Sequence, residues 1–149
     1  MGSMRNIAVA GALGALVVGA MAVSGTAASA APNVTPQRVC GSAYKTVNSV
    51  AVGSLGTVYL TYNSSNGKNC VATIRANPGT AKDMSTYVYV PDTDEWAGDS
   101  GTYTSYAGPA YVYGKGHCVS WGGNIANVYV SVDNSNCAAR QEHRVTEIR

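Results

Sequence analysis

The sequence PDTDEWAGDSG, residues 91–101, is the one acidic cluster of the chain. Hard cations such as calcium take several oxygen ligands, so Asp92, Asp94 and Asp99 form a weak calcium candidate. The EF-hand spacing and its terminal bidentate glutamate are missing. A solvated loop between strands fits the composition better, and we expect neither a metal nor a cofactor. Trp96 in this loop is either a plug or an exposed anchor.

Residues suited to catalysis are few. His117 lies on a predicted strand beside a glycine-rich turn, and His143 lies in the C-terminal tail. No nucleophile-elbow pattern, G-x-S-x-G, positions a serine. Paired carboxylates for glycoside hydrolysis would have to come from the acidic loop, which does not hold them at a fixed separation. We therefore predict that the protein is not an enzyme.

Tyrosines alternate with valines along several short segments. Val88 and Val90 share one face of a predicted strand, and Tyr87 and Tyr89 share the other. If the valines point inward, the tyrosines form a surface of flat apolar rings and hydroxyl groups that suits sugars or protein partners. The plainer interpretation is that tyrosine favours strands and keeps its hydroxyl in water. The candidate binding face comprises Tyr59, Tyr87, Tyr89, Tyr111, Tyr113, Tyr129 and Trp121.

The N-terminal region matches a secretory signal peptide. Arg5 supplies a positive charge, residues 7–23 form an uncharged apolar run, and Ala28-Ser29-Ala30 is a small-x-small cleavage site. The apolar run is rich in glycine and alanine and falls short of the ~20 strongly apolar residues of a spanning helix. We expect cleavage after Ala30, export, and no membrane anchor afterwards.

The four cysteines are Cys40, Cys70, Cys118 and Cys137. An even number of cysteines in an exported chain is typical of disulfides. We prefer the pairs Cys40–Cys70 and Cys118–Cys137, because each closes one local segment, and the other two pairings stay open. Zinc is disfavoured because the spacings are wide and no Cys-x-x-Cys occurs.

The segments that carry these side chains predict an all-β domain. Val, Thr and ten Tyr favour strands, and Gly, Asn and Ser interrupt them at short intervals. Asn66-Gly67 and Gly114-Lys115-Gly116 are the best specified turns. Short, regularly spaced strands predict a small disulfide-stapled β-sandwich or barrel of about eight antiparallel strands. The predicted strands are 44–50, 57–63, 69–75, 86–90, 102–106, 110–113, 117–121 and 127–132.

The predicted organisation has four parts: the signal peptide at 1–30, a flexible lead-in at 31–39, a single β domain at 40–137 and a polar tail at 138–149. Ten Lys and Arg nearly balance eight Asp and Glu, for a net charge of +2. No basic stripe is available to attract nucleic acid, so we expect no nucleic-acid partner.

Five stretches between Cys40 and Cys137 are long enough to be specific: CGSAYKTVNS, GTVYLTYNSSNGKNCVATIR, YVYVPDTDE, GTYTSYAGPAYVYGKGHCVSWGG and NVYVSVDNSNC. They resemble the spore-associated protein A family of Streptomyces and related filamentous actinomycetes, with the four cysteines in place. The resemblance implies a small exported protein found with spores or aerial hyphae and supplies no catalytic residues. The lead-in and residues 138–149 depart from the family pattern.

Three functional hypotheses follow. The leading one is a secreted, non-catalytic protein of the spore or aerial-hyphal surface, with spore-surface components as partners. The second is a module that binds cell-wall glycan on its tyrosine-rich face. The third is a secreted inhibitor or toxin-like module, a role that small disulfide-rich scaffolds often take.

Overall fold

The computed structural model describes residues 33–137, so the predicted signal peptide and polar tail lie outside the described residues. This range contains one short helix and eight strands. No helix within it is long and apolar enough to cross a membrane. The elements are α1 (Pro36–Cys40), β1 (Lys45–Val52), β2 (Gly56–Asn63), β3 (Lys68–Arg75), β4 (Lys82–Val90), β5 (Glu95–Tyr103), β6 (Tyr106–Tyr113), β7 (Val119–Ile125) and β8 (Val128–Ser135).

The strands form two four-stranded antiparallel sheets, which confirms the predicted all-β class and selects the sandwich. Sheet A has the order β1-β2-β3-β6 and sheet B the order β5-β4-β7-β8. In the β2–β3 hairpin, Asn63 pairs with Lys68, and Gly67 adopts a φ of 72° in the turn predicted at Asn66-Gly67. The turn at 114–116 instead crosses from sheet A to sheet B.

The core lies between the two sheets and is built from the valine side of the alternation. Val58 and Leu60 of sheet A face Val88 and Val90 of sheet B, and all four are fully buried. Removal of this apolar surface from water is the main favourable contribution to folding. The strand alternation therefore places valines inward, as the sequence predicts.

Trp121 lies at the centre of this core, and its placement on the candidate binding face was wrong. Its exposure is 0%, and its indole Nε1 donates a hydrogen bond to Ser135 Oγ over 2.9 Å. Trp121 shares its side of β7 with Val119 and Ile125, which are also buried core residues. Side chains two residues apart on a strand share a face, so Trp121 is buried on the same side of β7 as these two residues.

Only residues 91–94 of the acidic segment form the exposed turn between strands that its composition predicted, and from Glu95 onward the segment is a strand. Strand β5 runs antiparallel to β4 from the pair Val90–Glu95 to the pair Lys82–Tyr103. The predicted strand at 102–106 instead spans the bend between β5 and β6, whereas each of the other predicted strands overlaps a single observed strand. Glycine, aspartate and serine have low strand propensity, but continuous pairing with β4 overrides it. His117 was also misplaced, since it lies in the turn before β7.

The described part of the predicted flexible lead-in contains α1. Thr35 Oγ1 caps this helix by accepting a hydrogen bond from Arg38 N over 3.3 Å, and Pro36 occupies its first turn. Gly41 ends it with a φ of 116°. Val34 and Val39 pack against a second apolar cluster on sheet A. The packed domain thus includes residues before Cys40.

Candidate functional site

The candidate tyrosines point away from the core, but they divide between two opposite surfaces. Tyr59 is on β2, and Tyr111 and Tyr113 are on β6, so these three belong to sheet A. Tyr87, Tyr89 and Tyr129 belong to β4 and β8 of sheet B. The sequence predicts one face for these tyrosines, whereas the fold separates them into two.

The outer surface of sheet A, which we call face A, is partly covered by α1. The Cys40–Cys70 disulfide ties the end of the helix to β3. Cys70, Ala72 and Ile74 point toward the helix and are buried there with Tyr44. Residues 69–74 of β3 are buried without interruption, so this strand packs on both of its sides. The part of face A beneath α1 is therefore a second, smaller core.

Tyr111 holds α1 in place through its hydroxyl group. Its Oη donates a hydrogen bond to the carbonyl oxygen of Cys40 over 2.8 Å. The rings of Tyr44 and Tyr111 lie 5.5 Å apart between centroids. Burial, and after it the neighbouring Tyr44, raises the pKa of the Tyr111 phenol above its ordinary value. The Tyr111 hydroxyl group is therefore engaged in a structural hydrogen bond.

The outer surface of sheet B, which we call face B, is open and carries the most exposed aromatic rings. Trp96 is 66% exposed at one edge, and Tyr129 is 73% exposed at the other. Trp96 lies opposite Tyr89, and Gly98 lies opposite Tyr87.

Two glycines shape the surface on which these rings lie. A Cβ added to Gly98 would be 2.6 Å from Cζ2 of Trp96, and one added to Gly122 would be 2.9 Å from Cε1 of Tyr87. Each ring therefore lies against glycine backbone. A depression of about 420 Å³ is lined here by Ser85, Thr86, Tyr87, Trp96, Gly98, Asp99 and Ser100.

Polar groups surround the rings of face B. Asn124 is 3% exposed, hydrogen bonds to Ser85 Oγ, and donates from Nδ2 to Asp83 Oδ2 over 3.2 Å. Partial burial, and then the negative charge of Asp133, raises the pKa of Tyr87, although the Ser131 hydroxyl opposes this shift. Face B thus combines apolar ring surfaces with hydroxyl, amide and carboxylate groups.

Tyr89 and Asp94 meet at the end of the β4–β5 hairpin. Tyr89 Oη donates a hydrogen bond to Asp94 Oδ1 over 2.9 Å. This bond, together with desolvation and the aspartate charge, raises the pKa of the tyrosine. Asp94 adopts a φ of 55°, a left-handed conformation that aspartate tolerates better than most residues.

The fold does not assemble the weak calcium candidate. Asp92 Oδ2 lies 3.1 Å from His117 Nδ1, whereas Asp94 accepts from Tyr89. Asp99 accepts from Tyr103 Oη and from the Gly108 amide, each over 2.7 Å. Within residues 33–137, no group of three or more His, Cys, Asp or Glu could hold a metal ion.

Asp99 and Glu95 instead join the two sheets along one edge of the sandwich. The Gly108 amide that Asp99 binds belongs to β6, so the carboxylate connects β5 of sheet B with sheet A. Glu95 Oε2 accepts from the Tyr113 amide over 3.1 Å and makes a second connection between the same strands. These two carboxylates therefore have a structural role, since each connects β5 with β6.

Both disulfides have the pairing preferred from the sequence. Cys40–Cys70 joins α1 to β3, and Cys118–Cys137 joins the start of β7 to the end of β8. One bond therefore lies on face A, and the other closes the ends of two strands of sheet B.

Trp96 is the exposed residue that the sequence analysis left undecided. Its segment contains too many turn-forming residues for its alternation to be recognised. The signal that locates it is the turn at 91–94, since pairing Val90 with Glu95 places Trp96 opposite Tyr89. The register of the β4–β5 hairpin thus determines that Trp96 lies on the same face of sheet B as Tyr89.

Comparison with known proteins identifies one close relative by sequence. The chain is 50% identical over 130 residues to "Spore-associated protein A" of Streptomyces coelicolor. This match covers 87% of the present chain and 83% of the relative. No family model matches the chain, and no solved structure matches it.

Proposed function

Because this chain belongs to the spore-associated protein A family, we propose that it is an exported, non-catalytic β-sandwich that associates with the surface of spores or aerial hyphae. The observation that carries this proposal is its similarity to a relative whose name states an association with spores. The signal-peptide pattern at residues 1–30 supports export. The two disulfides suit a protein that remains folded in an oxidising environment.

The contacts of the acidic side chains support a non-catalytic role. Asp99 and Glu95 connect strands, and Asp94 accepts from Tyr89 at a hairpin end. His117 is engaged with Asp92 in an exposed pair beside a turn. A general acid and base would need reach to a shared substrate position, and these groups instead bind neighbouring backbone and side chains.

Fractionation of a sporulating culture tests the surface association. Intact spores from a host that expresses the full chain are washed with buffer, then with high salt, and finally with mild detergent. We expect the chain to stay with spores through the buffer wash and to be released by salt or detergent. A cytosolic marker protein controls for lysis. Recovery only from the culture fluid would contradict the proposal and favour the inhibitor or toxin-like alternative.

A turnover assay tests the non-catalytic part separately. The purified full chain is incubated with peptidoglycan, chitin and cellulose, and soluble sugar fragments are measured over time. We expect no release above a heat-denatured control. Release that increases with protein concentration would show that the protein is an enzyme.

A further inference from the structure

We propose that face B binds a β-1,4-linked polysaccharide chain by stacking its sugar rings on Trp96 and Tyr87. The inference rests on the proposed surface association and names the chemistry of its partner. Peptidoglycan, chitin and cellulose share this linkage and the equatorial substituents of its rings. The structural basis is a pair of aromatic rings on a glycine floor, with polar groups around them.

The orientation of the Trp96 ring is the first observation that supports sugar binding. Its indole lies against the backbone of Gly98, where a Cβ would come within 2.6 Å of Cζ2. The ring is nevertheless 66% exposed, so the side away from the sheet is free. A pyranose with equatorial hydroxyls presents C–H groups on its broad faces, and such a face suits an aromatic ring that has a flat apolar surface. A larger residue in place of Gly98 would prevent the indole from lying against the backbone.

The row that crosses the sheet next to Trp96 is the second support. In register it contains Gly98, Tyr87, Gly122 and Ser131, of which only Tyr87 has a large side chain. The Trp96 and Tyr87 rings lie over the two glycines, and the shallow depression lies beside them on the Gly98 side. Concave sites lined by aromatic groups and a few polar groups are typical of small-molecule and sugar recognition.

Hydroxyl and carboxylate groups lie where sugar hydroxyls need partners. Ser85 and Ser100 line the depression beside Trp96. Ser131 and Asp133 lie near the Tyr87 phenol on the other side. Sugar hydroxyls both donate and accept, so this mixture of hydroxyl and carboxylate oxygens meets their requirements.

The width of the sheet indicates a chain rather than a single sugar. Trp96 is on β5 and Tyr129 on β8, at opposite edges of sheet B. Three strand spacings of about 4.8 Å separate them across the sheet, and in register they also lie four residues apart along the strands, so each offset is roughly 14 Å. Tyr129 is 73% exposed and can supply a second platform. A polysaccharide that runs diagonally over sheet B would contact both rings.

A protein partner fits face B less well. Protein interfaces are centred on closely packed apolar residues, and charged groups are depleted there. The depression of face B is instead lined partly by Ser85, Asp99 and Ser100, and the buried polar residues Asn124 and Ser120 lie on the neighbouring strand β7. An anionic membrane is also disfavoured, because Asp83, Asp94 and Asp133 lie at or around this face.

Cosedimentation of the purified full chain with insoluble chitin, cellulose and peptidoglycan tests the proposal. We expect retention on at least one of them and release by the matching soluble oligosaccharide, and the material that retains the chain identifies the source. Trp96→Ala should weaken binding by about tenfold or more, as expected for loss of an aromatic anchor. Tyr113→Ala, an exposed tyrosine of face A, is the matched control and should leave binding unchanged.

Gly98→Ala provides a second variant that keeps the tryptophan. The added methyl group meets the outer end of the indole at 2.6 Å and should displace the ring from the sheet without opening the core. We expect weaker binding and an unchanged circular dichroism spectrum.

Three results would overturn the proposal: no retention on any of the materials, equal retention of the wild type and both face B variants, or a dimer in sedimentation analysis that Trp96→Ala dissolves. Spore association could persist in each of these cases. Conversely, glycan binding by a chain that never associates with spores would contradict only the proposed surface role.

Discussion

The strands beneath face A and face B share the same alternation of valines and tyrosines, but the two faces differ in structure. On face A, Tyr59 packs against the apolar cluster beneath α1, and Tyr111 donates a hydrogen bond to Cys40 O, whereas Tyr113 stays exposed. On face B, Trp96 and Tyr129 remain more than half exposed, and glycines lie beneath the Trp96 and Tyr87 rings. The difference comes from what covers each face. The alternation of residues within the strands specifies neither outcome.

The cover on face A comes from a segment outside the sheets. Helix α1 has only five residues and would not form alone in water. The disulfide to Cys70, the Tyr111 hydrogen bond and the contacts of Val34 and Val39 hold it against the strands. Face B has no such cover within residues 33–137. The structural assignment of face A and the binding assignment of face B follow from this contrast.

The largest expected effect separates the two tryptophans. Trp121→Ala should lower the free energy of unfolding by about 3–5 kcal/mol, because it leaves a large cavity in the core and removes the bond to Ser135. Trp96→Ala should change it by less than about 1 kcal/mol, since this ring is mostly exposed. Urea unfolding followed by circular dichroism measures both. Equal losses for the two variants would show that Trp96 is a core residue and would remove the basis for face B.

The two tryptophans also show how far the sequence alone could be interpreted. The strand at 117–121 was recognisable from its residues, and Val119, two residues before Trp121, shares its buried side, yet Trp121 was wrongly assigned to the binding face. Trp96 could not be placed, because glycine, aspartate and serine around it mask a strand that forms by pairing with β4. Local propensity specifies strands that would form in many contexts, whereas β5 depends on one partner.

The second prediction removes the cover from face A. Cys40→Ala combined with Cys70→Ala opens a crosslink with a sequence separation of 30, and the chain-entropy relation gives a loss of about 3–4 kcal/mol. Amide hydrogen exchange should increase first in α1 and β3. Binding of the folded protein to the insoluble polysaccharides should be retained, because face B lies on the other sheet.

The control for this variant is the wild-type protein measured at the same denaturant concentration. Loss of polysaccharide binding by the folded double variant would contradict the independence of the two faces. Unchanged exchange in α1 would show that packing alone holds the helix.

The division of the tyrosines between two sheets was beyond the sequence analysis for a different reason. Alternation predicts which side of a strand faces the core, and it did so correctly for the valines of β4 and β6. Sheet membership depends on pairing between distant segments, such as β3 with β6 and β4 with β7. Nothing in the residues of β6 distinguishes an outer surface covered by α1 from an open one.

The third prediction compares single hydroxyl groups on the two faces. Tyr111→Phe keeps the ring but leaves the buried carbonyl of Cys40 without its donor, so stability should fall by about 1 kcal/mol. Tyr89→Phe removes an exposed hydrogen bond and should change stability much less. Thermal unfolding of both variants, with the wild type as reference, measures the difference. A larger loss for Tyr89→Phe would reverse the structural assignment of the faces.

The smallest expected effect concerns the titration of these two tyrosines at alkaline pH. Burial and Tyr44 raise the pKa of Tyr111, whereas the hydrogen bond to Asp94 is the main cause of the raised pKa of Tyr89. Because both folded-state pKa values exceed the unfolded value of about 10, the folded protein holds these protons more tightly. The resulting stability is present below about pH 10 and is lost as the pH rises through the folded-state values.

Asp94→Asn distinguishes the two causes. Asparagine tolerates the φ of 55° at this position and keeps the shape of the side chain, but it removes the negative charge and changes the acceptor. The pKa of Tyr89 should fall toward its ordinary value, while that of Tyr111 should stay raised. Tyrosinate absorbance measured against pH, with Tyr89→Phe and Tyr111→Phe proteins to assign each step, follows the two groups separately. If Asp94→Asn shifts neither step, the carboxylate is not the cause at Tyr89; if it shifts both, the faces are electrostatically coupled across the sandwich.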